Sequence, residues 1–126
     1  MAITAACDAG QAGEVDETRA LAAAACLFRS LGDPTRLAIL RHLMLGEHRV
    51  VDLTAHLGLA QSTVSAHLAC LRDCGLVTSR PHGRASMFAL AHDVELLRVL
   101  AAATQLLGAT GDAVALWAHH GEAIQP

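Results

Sequence analysis

The chain has 126 residues, 53% of them apolar and 17% charged, which suits one globular domain with a modest core and excludes a disordered chain. Aromatic residues make up 2%, so aliphatic side chains build the core and little is left for stacking single-stranded nucleic acid. The net charge of -3 does not announce a nucleic-acid binder, yet it is unevenly spread.

Residues 1–18 hold Asp8, Glu14, Asp16 and Glu17 and no base, and the rest of the chain carries nine Arg and no Lys. Arginine suits bidentate phosphate and guanine contacts, so a local basic surface fits an acidic whole. The start MAITAACDAG has neither a basic n-region nor a long apolar run, and no stretch approaches a membrane span. The expectation is a cytoplasmic protein with no membrane partner, whose four Cys are reduced thiols or ligands.

Residues 1–15 read as a flexible arm carrying Cys7, residues 16–120 as the folded domain and residues 121–126 as a tail. Asp16 is placed to cap a first helix running to about Ser30, with Leu21, Ala25, Phe28 and Leu31 on one face. Asp33 caps a second helix with Pro34 at its first position, where a missing N–H costs nothing. Leu37, Leu40, Leu43 and Met44 form its apolar stripe, and it ends near Gly46. A short helix over Val50–Leu57 stops at Gly58, and Gln61 opens the next helix, with Val64, Leu68 and Leu71 as its core face and Gly75 as its stop. Helix, Gly-containing turn, helix is the helix-turn-helix pattern.

Leu76-Val77-Thr78 and Ser86 to Leu90 flank a polar turn over residues 80–84, a β-hairpin of the wing kind. Val94, Leu97 and Leu100 start another helix to about Leu107, interrupted by Gly108 and Gly111, and Asp112 caps a last short helix through Trp117. The fold class expected is mostly α with a small β-hairpin wing, a winged helix-turn-helix, against the plainer alternative of a small helical bundle with a hairpin.

The stretch QSTVSAHLACLRDCG, Gln61 to Gly75, carries the chemistry. Gln61, Ser62, Thr63 and Ser65 lie in the first turns, the end of a recognition helix that reaches base edges. Arg72, Arg80 and Arg84 are placed for phosphate, the last two from the wing. Taken singly, each of these residues suits a cap or a solvated surface better than a DNA contact; taken together, the architecture favours DNA. His67 has three readings: core packing first, then DNA contact or a place near the thiols.

Cys70 and Cys74 are four apart on one helix face, so their sulfurs can converge on one ion, to one side of the core stripe. Convergent thiolates suit Cd(II), Pb(II), Zn(II) or Cu(I), and two are too few for a tight site. Two small buried side chains are the competing reading. Cys26 lies roughly opposite the Leu21–Phe28 face, interfacial or simply exposed, and the pair His119-His120 reads first as a solvated tail. No catalytic constellation appears, so no enzyme is expected.

The segments LFRSLGDPTRLAILRHL, VVDLTAHLGLAQSTVSAHLACLRDCGLV and RPHGRASMFAL resemble the ArsR/SmtB family of metal-responsive repressors and cover most of residues 27–90. The resemblance implies a winged-helix homodimer paired through its first and last long helices. It also implies that double-stranded operator DNA, an inverted repeat, is bound without metal and released with it. Within the family, CLRDC resembles the CmtR-like, cadmium/lead-sensing branch. That implies Cys70 and Cys74 as ligands of Cd(II) or Pb(II), with Zn(II) a further ion, and a third thiol from the partner's C-terminal region.

Three positions depart from the family's patterns. The ELCxCD motif of other sensors falls on Glu47 to Asp52, which reads EHRVVD. His92 and Asp93 stand near the start of the helix after the wing without the rest of the histidine/carboxylate pattern. The third cysteine falls near AVALWAHH, where this chain has Trp117, so Cys7 is the first substitute, with Cys26, His119 and His120 as others. Thiol-based redox sensing, arsenite sensing and a winged-helix protein-interaction module are the alternative functions.

Overall fold

The computed structural model describes residues 10–111 of the chain, which divide into two compact units at Leu90. In the first unit, helix α1 runs over Gly10–Leu31, α2 over Pro34–Leu43, a short strand β1 over His48–Arg49, α3 over Val50–Leu57 and α4 over Gln61–Asp73. Strands β2 (Val77–His82) and β3 (Ala85–Leu90) follow, and α5 (Asp93–Ala109) belongs to the second unit. Among the described residues no helix is long and apolar enough to cross a membrane.

Local chemistry sets most of these boundaries. The Asp33 carboxylate accepts from the N–H groups of Thr35 at 2.7 Å and Arg36 at 3.1 Å, and Pro34 opens α2. Such a cap is worth about 1 kcal/mol. At α3 the backbone N–H of Arg49 donates to Asp52 at 3.1 Å, which satisfies a helix-start donor from within the helix. Gly58 ends α3 in the left-handed region at φ 67°, which lets the chain turn into α4 within three residues.

α1 begins six residues before Asp16, so Asp16 is a helical residue and not a cap, and the stretch 10–15 assigned to the arm is helical. The hairpin turn is narrower than residues 80–84: Arg80, Pro81 and His82 belong to β2, and Gly83-Arg84 alone make the turn. Gly83 takes φ 62° and Arg84 does not, as in a two-residue turn with Gly first. Pro81 is accommodated because β2 is an edge strand: the sheet order is β1-β3-β2, with all pairs antiparallel. Gly108 does not interrupt the last helix but lies within α5.

The core of the first unit is Ile39, Leu40 and Leu43 of α2, Leu53 of α3, Val64, Leu68 and Leu71 of α4, Val77 of β2 and Phe88 of β3. Each such side chain contributes about 1.5–3 kcal/mol by leaving water. The α4 stripe is the expected one, and it holds the helix so that Gln61, Ser62, Thr63 and Ser65 stay exposed. α1 turns Leu21 and Phe28 outward, each 64% exposed. In the second unit Leu96 and Leu100 of α5 are buried, while Val94 and Leu106 are exposed.

Candidate functional site

The two ends of α4 differ in what surrounds them. At the N-terminal end Gln61, Ser62, Thr63, Ser65 and Ala66 are exposed, so one helix face is slim and open. Ala60 precedes it without a side-chain cap, so no cap side chain occupies the N–H groups of the first turn. The wing supplies Arg84 at the hairpin tip, exposed. Arg72 donates through Nη1 to the Ser79 hydroxyl at 3.4 Å, bridging α4 to β2. Arg80 is engaged differently: its guanidinium pairs with both carboxylate oxygens of Glu47 at 2.8 and 2.9 Å. That pair holds the Glu47 carboxyl below the usual carboxylate range.

At the C-terminal end the helix meets α1. Cys26 and Ser30 stand one turn apart on α1 and face Cys70 and Cys74, one turn apart on α4. The Sγ atoms of Cys26 and Cys74 are 3.2 Å apart. The Ser30 hydroxyl lies 2.6 Å from the Cys74 sulfur and 4.0 Å from that of Cys70. Ser30 is 2% exposed, and the three thiols are free and half-buried. Within the chain Cys26 is half-buried and not simply exposed, because α1 turns it toward Cys74 of α4, while Leu21 and Phe28 of α1 are exposed.

Hydrogen bonding splits the two close thiols. Donation from the Ser30 hydroxyl, then from the Cys26 thiol, pulls Cys74 below the ordinary thiol value. Cys26 is pushed up because it keeps the proton it gives to Cys74 and faces that sulfur's charge. Of this pair the thiolate is thus Cys74, with Cys26 as its donor. Among the described residues no three ligating groups already point at one centre. Cys26 and Cys74 instead form a hydrogen-bonded pair at 3.2 Å, closer than the about 3.8 Å between sulfurs around a tetrahedral zinc.

Ser30 also starts a connection to the middle of α4. Its carbonyl accepts from Arg36 Nε at 2.6 Å, and the Arg29 carbonyl accepts from Arg36 Nη2 at 3.0 Å, so Arg36 closes the C-terminal end of α1. Arg36 Nη1 lies 3.2 Å from His67 Nδ1. A guanidinium only donates, so Nδ1 accepts and the His67 proton sits on Nε2. His67 is half-buried and spoken for by Arg36, a different arrangement from plain core packing. Sequence reasoning passed over Ser30 and Arg36; the four-residue spacing of Cys26 and Ser30, matching that of Cys70 and Cys74, was the available signal.

His92 and Asp93 are exposed at the start of α5. Cys7, His119, His120, the helix expected from Asp112 to Trp117 and the tail 121–126 lie outside the described residues.

The profile of the bacterial regulatory protein, arsR family, matches residues 33–79, from the cap of α2 into β2. The HTH-type transcriptional regulator CmtR of Mycobacterium tuberculosis is 45% identical over 106 residues, which cover 82% of this chain and 89% of that protein. The solution structure of the M. tuberculosis cadmium metal-sensor CmtR superimposes with a TM-score of 0.51 at 51% identity, over 60% of this chain and 78% of the other. A homodimeric winged helix-turn-helix DNA-binding domain from Mycobacterium bovis, described as a possible ArsR-family regulator, gives a TM-score of 0.64 at 29% identity over 72% of this chain and 85% of that one. At the identity and coverage found with CmtR, and with the same winged helix-turn-helix fold, the chain belongs to the ArsR family of bacterial regulatory proteins and is a DNA-binding transcriptional regulator, not an enzyme.

Proposed function

We propose that the chain is a homodimeric repressor that holds an inverted-repeat operator through α4 and the wing and lets go when a soft metal ion is captured at the other end of α4. Gln61, Ser62, Thr63 and Ser65 read base edges, and Arg72 and Arg84 hold phosphate. The outward Leu21 and Phe28 of α1 suit a second copy of the chain. Cd(II) or Pb(II), and less selectively Zn(II), binds Cys70 and Cys74, with Cys26 as third thiolate. The relative that carries the name cadmium metal-sensor supports the ion class. The observation that carries the ligand set is the 3.2 Å approach of Cys26 to Cys74 beside Ser30 and Cys70.

The release follows from the connections of Ser30. A metal that takes the Cys74 sulfur displaces the Ser30 hydroxyl from it. Ser30 is also the carbonyl that seats Arg36, and Arg36 holds His67 on α4. Ligand capture therefore changes how α4 is braced against α1 and α2. Couplings of this kind are worth about 1–3 kcal/mol.

The test is a Cd(II) titration followed by ultraviolet thiolate-to-metal absorption, with operator release read in parallel by fluorescence anisotropy. Three thiolates give an absorption that falls by about a third in Cys26→Ser, with weaker binding. Unchanged absorption and affinity in Cys26→Ser would move the third ligand to Cys7, His119 or His120.

The same 3.2 Å contact favours a second reading, a redox switch. The Cys74 thiolate attacks a peroxide oxygen, giving a sulfenic acid and hydroxide; that hydroxide takes the Cys26 proton as water, and the Cys26 thiolate attacks the sulfenic sulfur and displaces a second hydroxide to close a disulfide. A thiol count after one equivalent of hydrogen peroxide, set beside the Cd(II) titration, separates the two.

A further inference from the structure

Away from the thiols, three imidazoles meet where α2, β1 and α3 come together. His42 is in the last turn of α2, His48 opens β1 and His56 is in the last turn of α3. The His42 and His56 rings are stacked, with centroids 4.9 Å apart and planes 12° apart. His48 stands edge-on to both, 6.2 Å from His42 and 5.7 Å from His56. Nothing in DNA reading or thiol chemistry uses them. Residues 42, 48 and 56 are too irregularly spaced to signal one another in the sequence, and only the fold collects them.

We infer that His42, His48 and His56 form a second, nitrogen-only metal site, for a borderline divalent ion such as Zn(II), Co(II) or Ni(II). Two observations carry it. First, the ring spacing fits: imidazoles on one ion at about 2.0–2.1 Å put ring centroids about 5 Å apart at tetrahedral angles, and two of the three separations are within an ångström of that. Second, His48 is already set in the tautomer a ligand needs. The Gly46 carbonyl lies 2.8 Å from His48 Nδ1 and can only accept, so the proton is on Nδ1 and Nε2 keeps its lone pair. A backbone carbonyl on the far nitrogen is the support that metal-binding histidines usually have.

The rings do not yet point at one centre, and the stack must open by side-chain rotation for the ion to enter. His56 is exposed and His42 and His48 are half-buried, so that rotation disturbs little of the core. An ion here ties α2 and the helix before α4 to the root of the wing through β1, which pairs with β3 at His48–Phe88. It would act as a cross-brace on the DNA-reading unit, independent of the thiols.

The experiment is a Co(II) titration of the full chain and of its Cys7→Ser/Cys26→Ser/Cys70→Ser/Cys74→Ser variant. A nitrogen site gives visible d–d bands without near-ultraviolet sulfur-to-cobalt absorption, and it should persist in the thiol-free variant. His48→Ala and His56→Ala should each weaken that binding at least tenfold, with the metal-free thermal midpoint unchanged. Long-range proton–nitrogen spectra of the wild-type chain with Zn(II) should show His48 keeping its Nδ1 proton while its Nε2 and the rings of His42 and His56 shift together. No nitrogen-type Co(II) spectrum in the thiol-free variant, equal affinity in the two histidine variants, or unmoved imidazole signals under Zn(II) would each overturn the site. Failure of the thiol reading would instead appear as missing sulfur-to-cobalt absorption in the wild-type chain, which leaves these outcomes untouched.

Discussion

The two ends of α4 are one rigid rod with opposite surroundings. Gln61, Ser62, Thr63 and Ser65 meet solvent, whereas Cys70 and Cys74 are half-buried against α1 and tied to Ser30. The open end keeps its polar groups free for a partner that arrives whole, and the closed end keeps its sulfurs in a set that a small ion can reorganise. Between them the Val64, Leu68 and Leu71 stripe is fully buried and ties the middle of the helix to the core. In the proposed function, a disturbance at the thiols would be passed on as a shift of the whole helix.

The comparison breaks most sharply at the open end. Ser65→Arg puts a long charged side chain where the helix must enter the groove, and Ser65 is exposed, so folding should be untouched. Operator affinity should drop to the level for random DNA, a loss on the order of a thousandfold. The check is anisotropy against operator and scrambled duplexes, with circular dichroism to confirm the fold. Cd(II) uptake should be unaffected, because the thiols are more than a helical turn away.

The reciprocal change is Cys74→Ser. Operator binding should survive and metal-induced release should vanish, removing about 1–3 kcal/mol of coupling. Cys70→Ser should do the same, and the two should not add, since either one leaves too few soft ligands. In the wild-type chain Cd(II) affinity should fall as pH falls, because protons compete for the thiolates. Cys74, whose thiol is held below its ordinary value by Ser30 and Cys26, should lose its proton first. Ser30→Ala should therefore make the first thiolate harder to form and steepen that pH dependence near neutrality. An unchanged profile in Ser30→Ala would show that the 2.6 Å contact does not tune the thiol.

Between the ends lies Arg36 of α2, which reaches His67 and also donates to the carbonyls that end α1. Arg36→Gln should leave Cd(II) affinity close to wild type yet weaken the release of operator by about 0.5–2 kcal/mol of coupling. Equal release in Arg36→Gln would place the coupling elsewhere in the α1–α4 contact.

How much of this was readable in the sequence depends on how local each determinant is. The helix-turn-helix was legible almost residue by residue, because Asp33-Pro34, Gly58 and the Val64–Leu68–Leu71 stripe act within a turn or two of themselves. The start of α1 was not, because Asp16 looks like a cap only if no helix precedes it. β1 is two residues long and has no period to read. Pro81 and Gly83 both suggested turn, and only the edge position of β2 explains why Pro81 sits in a strand. The pair Cys70 and Cys74 was visible by its four-residue spacing. Cys26 and Ser30 come from some forty residues away, and the packing of α1 on α4 decides that they meet them.

The smallest expected effect separates the two wing arginines. Arg84 is exposed at the hairpin tip, with a full charge to offer a phosphate. Arg80 already faces Glu47 through two hydrogen bonds, so its charge is largely answered before DNA arrives. Each phosphate contact releases counterions, and losing one flattens the plot of log affinity against log salt by about one unit. Arg84→Ala should do this on operator and random duplexes alike, since phosphate carries no sequence information. Arg80→Ala should leave the slope nearly unchanged and instead free Glu47, whose carboxyl would return to its ordinary value. A solvent-exposed pair of this kind contributes about 0–1 kcal/mol, so the fold should tolerate its loss. The measurement is operator affinity at four or five salt concentrations for both variants. Equal slopes for Arg84→Ala and wild type would remove the wing tip from the DNA interface. A slope that flattens for Arg80→Ala would show that DNA outcompetes Glu47 for that guanidinium.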